Sequence, residues 1–344
     1  MRRTGRYGTI GAWCLAVAGL LGCGDVGPVV VVYTSVDRGD AEPLLRQFET
    51  RTGVRVQAVY DAEAAKTTGL TTRLVAEAGR PRCDVFWNNE LSQTMMLAKR
   101  GLLAAYDSPA GRDLPSACRP ANTLWTATSR RVRVIVYNTR HVPADRVPRS
   151  VFELARPEWR GKVAIADPQF GTTRAHVAAL FAALGPERAQ KFFFDLLAND
   201  VRIVDGNAMV RSLVADASPD ASPIYVGLTD TDDVLAGQAD GEPVAMVFPD
   251  QDDMGAFVVP ASVALVRGAP HPEQARTLID FLVGGEVEAA LATGRAGFLP
   301  VRNGQTPPKG LAELGPLRAM AVSPEAVLEQ LEPSTRWTRE HFRR

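Results

Sequence analysis

Val29-Val30-Val31-Val32-Tyr33 decides the fold. An unbroken apolar run rich in β-branched residues forms a strand covered on both faces, the situation of a parallel sheet. The next stretch has helical spacing. Asp40 stands where a helix is capped, Leu44, Leu45 and Phe48 fall on one face, and Gly53 ends it. Val54, Val56, Ala58 and Tyr60 read as a second strand, residues 67–78 as a helix with Leu70, Leu74 and Val75 on one side, and Val85-Phe86-Trp87 as a third strand. A helix marked by Met95, Met96, Leu97 and Leu102 follows. Repeated strand–helix units of this kind predict an α/β protein with a mostly parallel sheet flanked by helices.

The pattern resumes in a second unit. Residues 132–137, 162–165, 201–204, 224–228, 244–248 and 261–266 read as strands, and residues 173–184, 186–197, 208–216 and 272–282 as helices. The turn-rich segment Ser218-Pro219-Asp220-Ala221-Ser222-Pro223 interrupts them, and Pro307-Pro308 marks a loop before helical C-terminal residues. The chain, 344 residues long, is sized for two domains.

The N-terminus sets the compartment. Arg2, Arg3 and Arg6 precede an apolar run from Ile10 to Leu21. That run suits a signal-peptide core and falls short of the roughly 20 residues of a membrane span. It ends in Leu20-Leu21-Gly22-Cys23, which resembles the lipobox of bacterial lipoproteins. The resemblance implies that residues 1–22 are removed, that Cys23 is acylated, and that the mature chain is anchored to a membrane in the periplasm or at the cell surface. Losing three arginines from 39 basic groups leaves 36 against 39 acidic ones. An overall basic footprint for nucleic acid is thereby excluded. Cys14 leaves with the leader, so Cys83 and Cys118 remain in a compartment that permits disulfides. They are expected to pair, the other reading being two buried free thiols.

Enzymatic signatures are missing. His141, His176, His271 and His341 show no zinc-binding spacing, and neither a Gly-x-Ser-x-Gly elbow nor a phosphate-binding loop occurs. His176, inside a helix, reads as structural.

Several stretches together resemble the ferric-ion-type extracellular solute-binding proteins of ABC importers. They are Tyr33-Thr34-Ser35-Val36-Asp37-Arg38, Leu44 to Val54, Asp84-Val85-Phe86-Trp87-Asn88-Asn89-Glu90, Arg131 to Thr139, Gly227 to Asp233, and Ala275 to Leu282, in the family's order. The resemblance implies a two-lobed type II binding-protein fold. Residues 29–131 and 258–312 would form one lobe and residues 132–257 and 313–344 the other, with crossings near residues 132–137 and 254–259. It implies a monomer that captures a small polar solute between the lobes, closes on it, and hands it unaltered to an ABC permease and ATPase. An exported sensor partner of a membrane receptor or kinase is the alternative use of the same fold. No cofactor is expected beyond a metal cation as the bound solute.

Candidate ligand-binding residues lie after strands, where open α/β sheets bind. Ser35, Asp37 and Arg38 follow the first strand. Lys66 and Thr67 stand at a helix start, which favours an anion. Asn88, Asn89 and Glu90 follow the third strand. Gly171, Thr172 and Thr173 open one helix and Asn207 another. Thr229, Asp230, Thr231 and Asp232, with Asp233, form an acidic segment read as a loop after the strand at 224–228. Asp232, Asp233 and Glu90 could hold a hard cation through oxygen; the acidic segment could instead bind an amine or cap the next helix. Family members that bind ferric iron carry a tyrosine pair where Asp232 and Asp233 stand. That departure tilts the residues toward an organic anion such as a phosphonate or phosphorylated solute.

Overall fold

The computed structural model describes residues 27–61, 68–219 and 222–342; the leader, Cys23, Lys66 and Thr67 lie outside them. In chain order the elements are β1 (Val29–Thr34), α1 (Arg38–Thr52), β2 (Arg55–Tyr60), α2 (Thr68–Ala76), β3 (Val85–Asn88), α3 (Leu91–Lys99) and β4 (Leu103–Ala104). Then come β5 (Thr126–Asn138), β6 (Val163–Ala166), α4 (Gly171–Leu184), α5 (Pro186–Ala198), β7 (Arg202–Val204) and α6 (Asn207–Ala215). The chain ends with β8 (Val226–Asp230), α7 (Thr231–Ala239), β9 (Val244–Val247), β10 (Val258–Val266), α8 (Pro272–Val283), α9 (Gly285–Thr293) and α10 (Pro324–His341).

The strands line up as β2-β1-β3-β10-β5-β8-β6-β7, with β4 on β10 and β9 on β5. β1 runs parallel to both β2 and β3, and β6 parallel to β7 and β8. The antiparallel members are β10 and β5. β5 explains the two-lobed shape. Its first half pairs with β10, down to Val132 opposite Val258, and from Arg133 onward it pairs with β8 and β9. One strand thus leaves the first sheet and joins the second, and β10 returns the chain. A bulge where the β5–β10 register shifts, between Ala261 and Ser262, bends the pair there.

Each lobe has its own core. In the first, Val32, Tyr33, Phe48, Phe86, Trp87, Leu278 and Leu282 are buried together. In the second, the period of two along β5 divides the residues between two faces. Val132, Val134 and Val136 pack with Val210 and Val234, while Ile135 packs with Val163, Leu180 and Phe192. Full burial of each such side chain contributes about 1.5–3 kcal/mol. Gly227 on β8 is required by this packing: a Cβ there would lie 2.5 Å from Val210 Cγ1 and 2.8 Å from the Ala164 carbonyl. The terminal helix α10 packs on α4 and also touches α3 of the first lobe. No helix among the described residues is long and apolar enough to cross a membrane.

Two expectations need correction. The acidic segment is no loop: β8 extends to Asp230 and α7 begins at Thr231, so strand passes directly into helix. Cys83 and Cys118 are unbonded. The Cys83 thiol, at the foot of β3, points to the Val85 carbonyl at 3.1 Å, while Cys118 lies half-buried in the turn Ser116–Cys118.

Candidate functional site

A cleft opens at the carboxyl ends of β1, β6 and β8. Asp37 enters from the first lobe; Asp167, Gly171, Thr172, Thr173, Asp205, Asn207, Asp232 and Asp233 line it from the second, with Arg131 of β5 at its floor. It encloses about 50 Å³, room for an ion and a few waters.

The floor is a buried charge network. Arg131 and Arg133 are two apart on β5 and so project from the same face. Arg133 is fully buried; its Nη1 donates to Asp230 Oδ1 at 2.9 Å, to Asn207 Oδ1 at 3.0 Å and to Thr172 Oγ1 at 3.4 Å. The Thr172 hydroxyl donates to Asp230 Oδ2 at 2.5 Å, and Asn207 Nδ2 donates to both Thr172 Oγ1 (2.7 Å) and Asp230 Oδ2 (2.9 Å). The starts of α4 and α6 are thereby fixed to the end of β8. Arg131 Nη1 lies 2.8 Å from Asp232 Oδ2 and 3.5 Å from Asp230 Oδ2, and its Nη2 donates to the Asn89 carbonyl of the first lobe at 3.1 Å.

Charge is unevenly satisfied here. Burial opposes ionisation of Asp230, but Arg133 and Arg131 overcome it and hold the carboxyl below its ordinary value. Asp232 goes the other way. Burial, with Asp233, Asp230 and Asp37 nearby, outweighs Arg131 and pushes its pKa up to about 8. Two guanidinium groups neutralise part of the acidic cluster, and burial biases Asp232 toward its protonated form. Asp232 Oδ1 is buried with no hydrogen-bond partner among the described residues, as are Arg131 Nε and Arg133 Nε and Nη2. One carboxylate oxygen from each of Asp230, Asp232 and Asp233 lies within 4.8 Å of the other two, an all-oxygen set of the kind hard cations take. Beneath them His176 stacks on Phe257 with ring centroids 5.9 Å apart, and burial with Arg133 drives its pKa down to about 3, so it is a neutral core residue.

The candidates from sequence divide. Asp37, Gly171, Thr172, Thr173, Asn207, Asp232 and Asp233 meet in the cleft. Ser35, Asn88 and Asn89 stand behind it: the Ser35 hydroxyl donates to Asn88 Oδ1 at 2.5 Å and accepts from Asn89 N at 2.9 Å, tying the turn after β1 to the turn after β3. Arg38 turns away, its guanidinium 4.4 Å above the Tyr60 ring. Glu90 does not reach the cation cluster. It caps α3, accepting from Ser92 N at 2.7 Å, Gln93 N at 3.3 Å and Ser92 Oγ at 2.6 Å, so both oxygens are spent. Thr229 donates to Asp233 Oδ2 at 2.9 Å, and Thr231 accepts from Val132 N at 3.2 Å; both brace the site from behind. Asp230 is N-cap by position, yet its side chain makes no cap bond and goes to Arg133 instead.

Arg131 and Arg133 were not singled out from sequence. Their signal was present: two arginines at i and i+2 in an otherwise apolar strand share one face, and a cation there has to meet buried acids.

Two lobes around a cleft lined from strand ends and helix starts define a binding protein. The family model described as "Bacterial extracellular solute-binding protein" matches residues 86–316, and the chain belongs to that family. Among its relatives is "Iron uptake protein A1" of Synechocystis sp., 27% identical over 310 residues, covering 89% of this chain and 84% of the relative. A "Putative 2-aminoethylphosphonate-binding periplasmic protein" of Salmonella typhi is 26% identical over 288 residues, with 81% and 80% covered. The crystal structure of iron-bound HitA from Pseudomonas aeruginosa shares the two-lobed type II fold, with a TM-score of 0.78 at 21% identity over 90% of this chain and 99% of that one.

Proposed function

We propose that this chain is the receptor of an ABC importer, anchored outside the membrane by acylated Cys23, and that its cleft takes a small cationic solute, held by Asp37, Asp232 and Asp233 and released unchanged. The observation that carries the reading is the buried, partnerless Asp232 Oδ1 in a cleft lined by five aspartates and one arginine. Such an acidic lining repels an organic anion and attracts a cation. A hard metal ion suits the oxygen-only donors and the small enclosed volume. The relatives named for iron uptake agree with this class of solute.

The paired helix starts favour a second reading. Gly171, Thr172 and Asn207 present the amino ends of α4 and α6 to the same cleft, and an anionic group is stabilised there. A zwitterion such as an aminophosphonate would place its amine on Asp232 and its phosphonate on those helix starts. A thermal-shift series on ligand-stripped protein separates the two. Metal cations alone raise the melting temperature on the first reading. On the second, 2-aminoethylphosphonate raises it while metal ions and inorganic phosphate do not. A protein indifferent to all of them has no solute site in this cleft.

A further inference from the structure

We propose that the pole of the first lobe opposite the cleft is an electrostatic contact surface for an anionic phospholipid bilayer. β1, β2 and β3 are parallel and begin at this pole, and antiparallel β10 ends there, with Val266 opposite Leu103 of β4. The connections and element ends at this edge carry Arg55, Arg80, Arg82, Lys99, Arg100 and Arg267, every one exposed. Backbone contacts hold them to one surface. Arg55 N donates to the Pro28 carbonyl at 2.8 Å, Arg267 N to the Leu102 carbonyl at 2.9 Å, and a Cβ on Gly268 would sit 3.4 Å from Pro81, between Arg80 and Arg82.

None of these six cations has an ion-pair partner among the described residues; Arg267 only reaches the Leu103 carbonyl at 3.3 Å. Nearby acids are engaged elsewhere. Glu77 accepts from the Tyr33 hydroxyl at 2.9 Å and from Arg73 at 2.8 Å, and Glu49 accepts from Val56 N at 2.6 Å. Asp84 is buried and holds His271, while Glu286 pairs with Arg51 and Glu273 with Arg276. This pole therefore presents six exposed cations that no described carboxylate neutralises.

The chain enters the fold at the same pole. Pro28 neighbours Arg55, and only residues 24–28 separate Cys23 from β1. Fully extended, that stretch spans at most about 20 Å, so an acyl group on Cys23 would hold this pole against the lipid headgroups. Clustered arginines and lysines beside a membrane tether are attracted to anionic lipid. The surface does not depend on what the cleft binds.

The test uses the processed chain from residue 23, left unacylated so that only the protein surface can bind. It should cosediment with vesicles containing phosphatidylglycerol, not with pure phosphatidylcholine vesicles, and added salt should release it. Arg80→Glu/Arg82→Glu/Arg100→Glu should weaken this partitioning by roughly tenfold or more without altering the melting temperature. Arg188→Glu/Arg339→Glu, at exposed positions of α5 and α10 in the second lobe, should leave it unchanged. Equal behaviour on both vesicle types, full retention in the triple variant, or an equal loss in the second-lobe variant would overturn the proposal.

Discussion

Arg133 and Asp230 stand directly opposite each other across the ladder between β5 and β8, with Nη1 2.9 Å from Oδ1 and both side chains fully buried. This cross-strand pair joins the strand that links the lobes to the strand that carries the acidic cluster. Removing one partner leaves an uncompensated buried charge. Asp230→Ala should destabilise the protein by about 3–5 kcal/mol in urea unfolding, and adding Arg133→Met should restore much of that loss. A single-variant cost below about 1 kcal/mol would mean that the pair is solvated in solution.

Asp232→Ala should behave differently, because Asp232 accepts no bond at Oδ1 and already carries a burial penalty. Its ligand-free melting temperature should equal or exceed that of the parent. The melting shift produced by a bound cation should disappear. A retained shift would place the cation elsewhere.

Binding should depend on pH with a defined sign. Burial pushes the Asp232 pKa up to about 8, so a cation, which needs the carboxylate, displaces a proton when it binds below that pH. Affinity should rise with pH by up to tenfold per unit and level off near 8. Titration calorimetry in buffers of different ionisation enthalpy should register the released proton, and Asp232→Asn should abolish both effects. In the empty protein the raised value also makes the protonated group stabilising at low pH. That contribution is lost as pH climbs through about 8.

Arg131→Gln distinguishes the two readings of the solute. Arg131 is a resident cation 2.8 Å from Asp232. If the solute is a metal ion, deleting this competitor should tighten binding. If the solute docks as an anion, the same change should weaken it. Isothermal titration of both proteins gives the direction.

Thiol titration of the denatured, unreduced chain should find Cys83 and Cys118 both free. Burial raises the Cys83 thiol well above its ordinary value, so reaction at that position in the native protein should be much slower than after unfolding. No free thiol after denaturation would show that they had paired.

The fold was legible because each lobe repeats a local pattern. Val29 to Tyr33, Val85 to Trp87 and the helix around Leu44, Leu45 and Phe48 are set by hydrophobic spacing alone. Asp37, Thr172, Asn207 and Asp232 were legible as cleft-lining residues for a related reason: strand ends and helix starts converge in open α/β sheets. Glu90 was misplaced because a carboxylate after a strand serves equally as ligand or cap, and the backbone N–H groups of Ser92 and Gln93 claimed it. Arg131 and Arg133 depend on the β5–β8 register, which sets Asp230 against Arg133 across 97 residues of sequence. No local pattern records such a long-range pairing.

The point where β5 changes sheets lies between Val132, the last residue opposite β10, and Arg133, the first opposite β8. In any swinging motion of the lobes, atoms at the pivot travel least and those at the rims travel furthest. The guanidinium groups would therefore keep their acids as the mouth opens, while Asp37 is carried away from Asp232. Opening would dismantle the cage around a cargo without exposing the charges that hold the floor together.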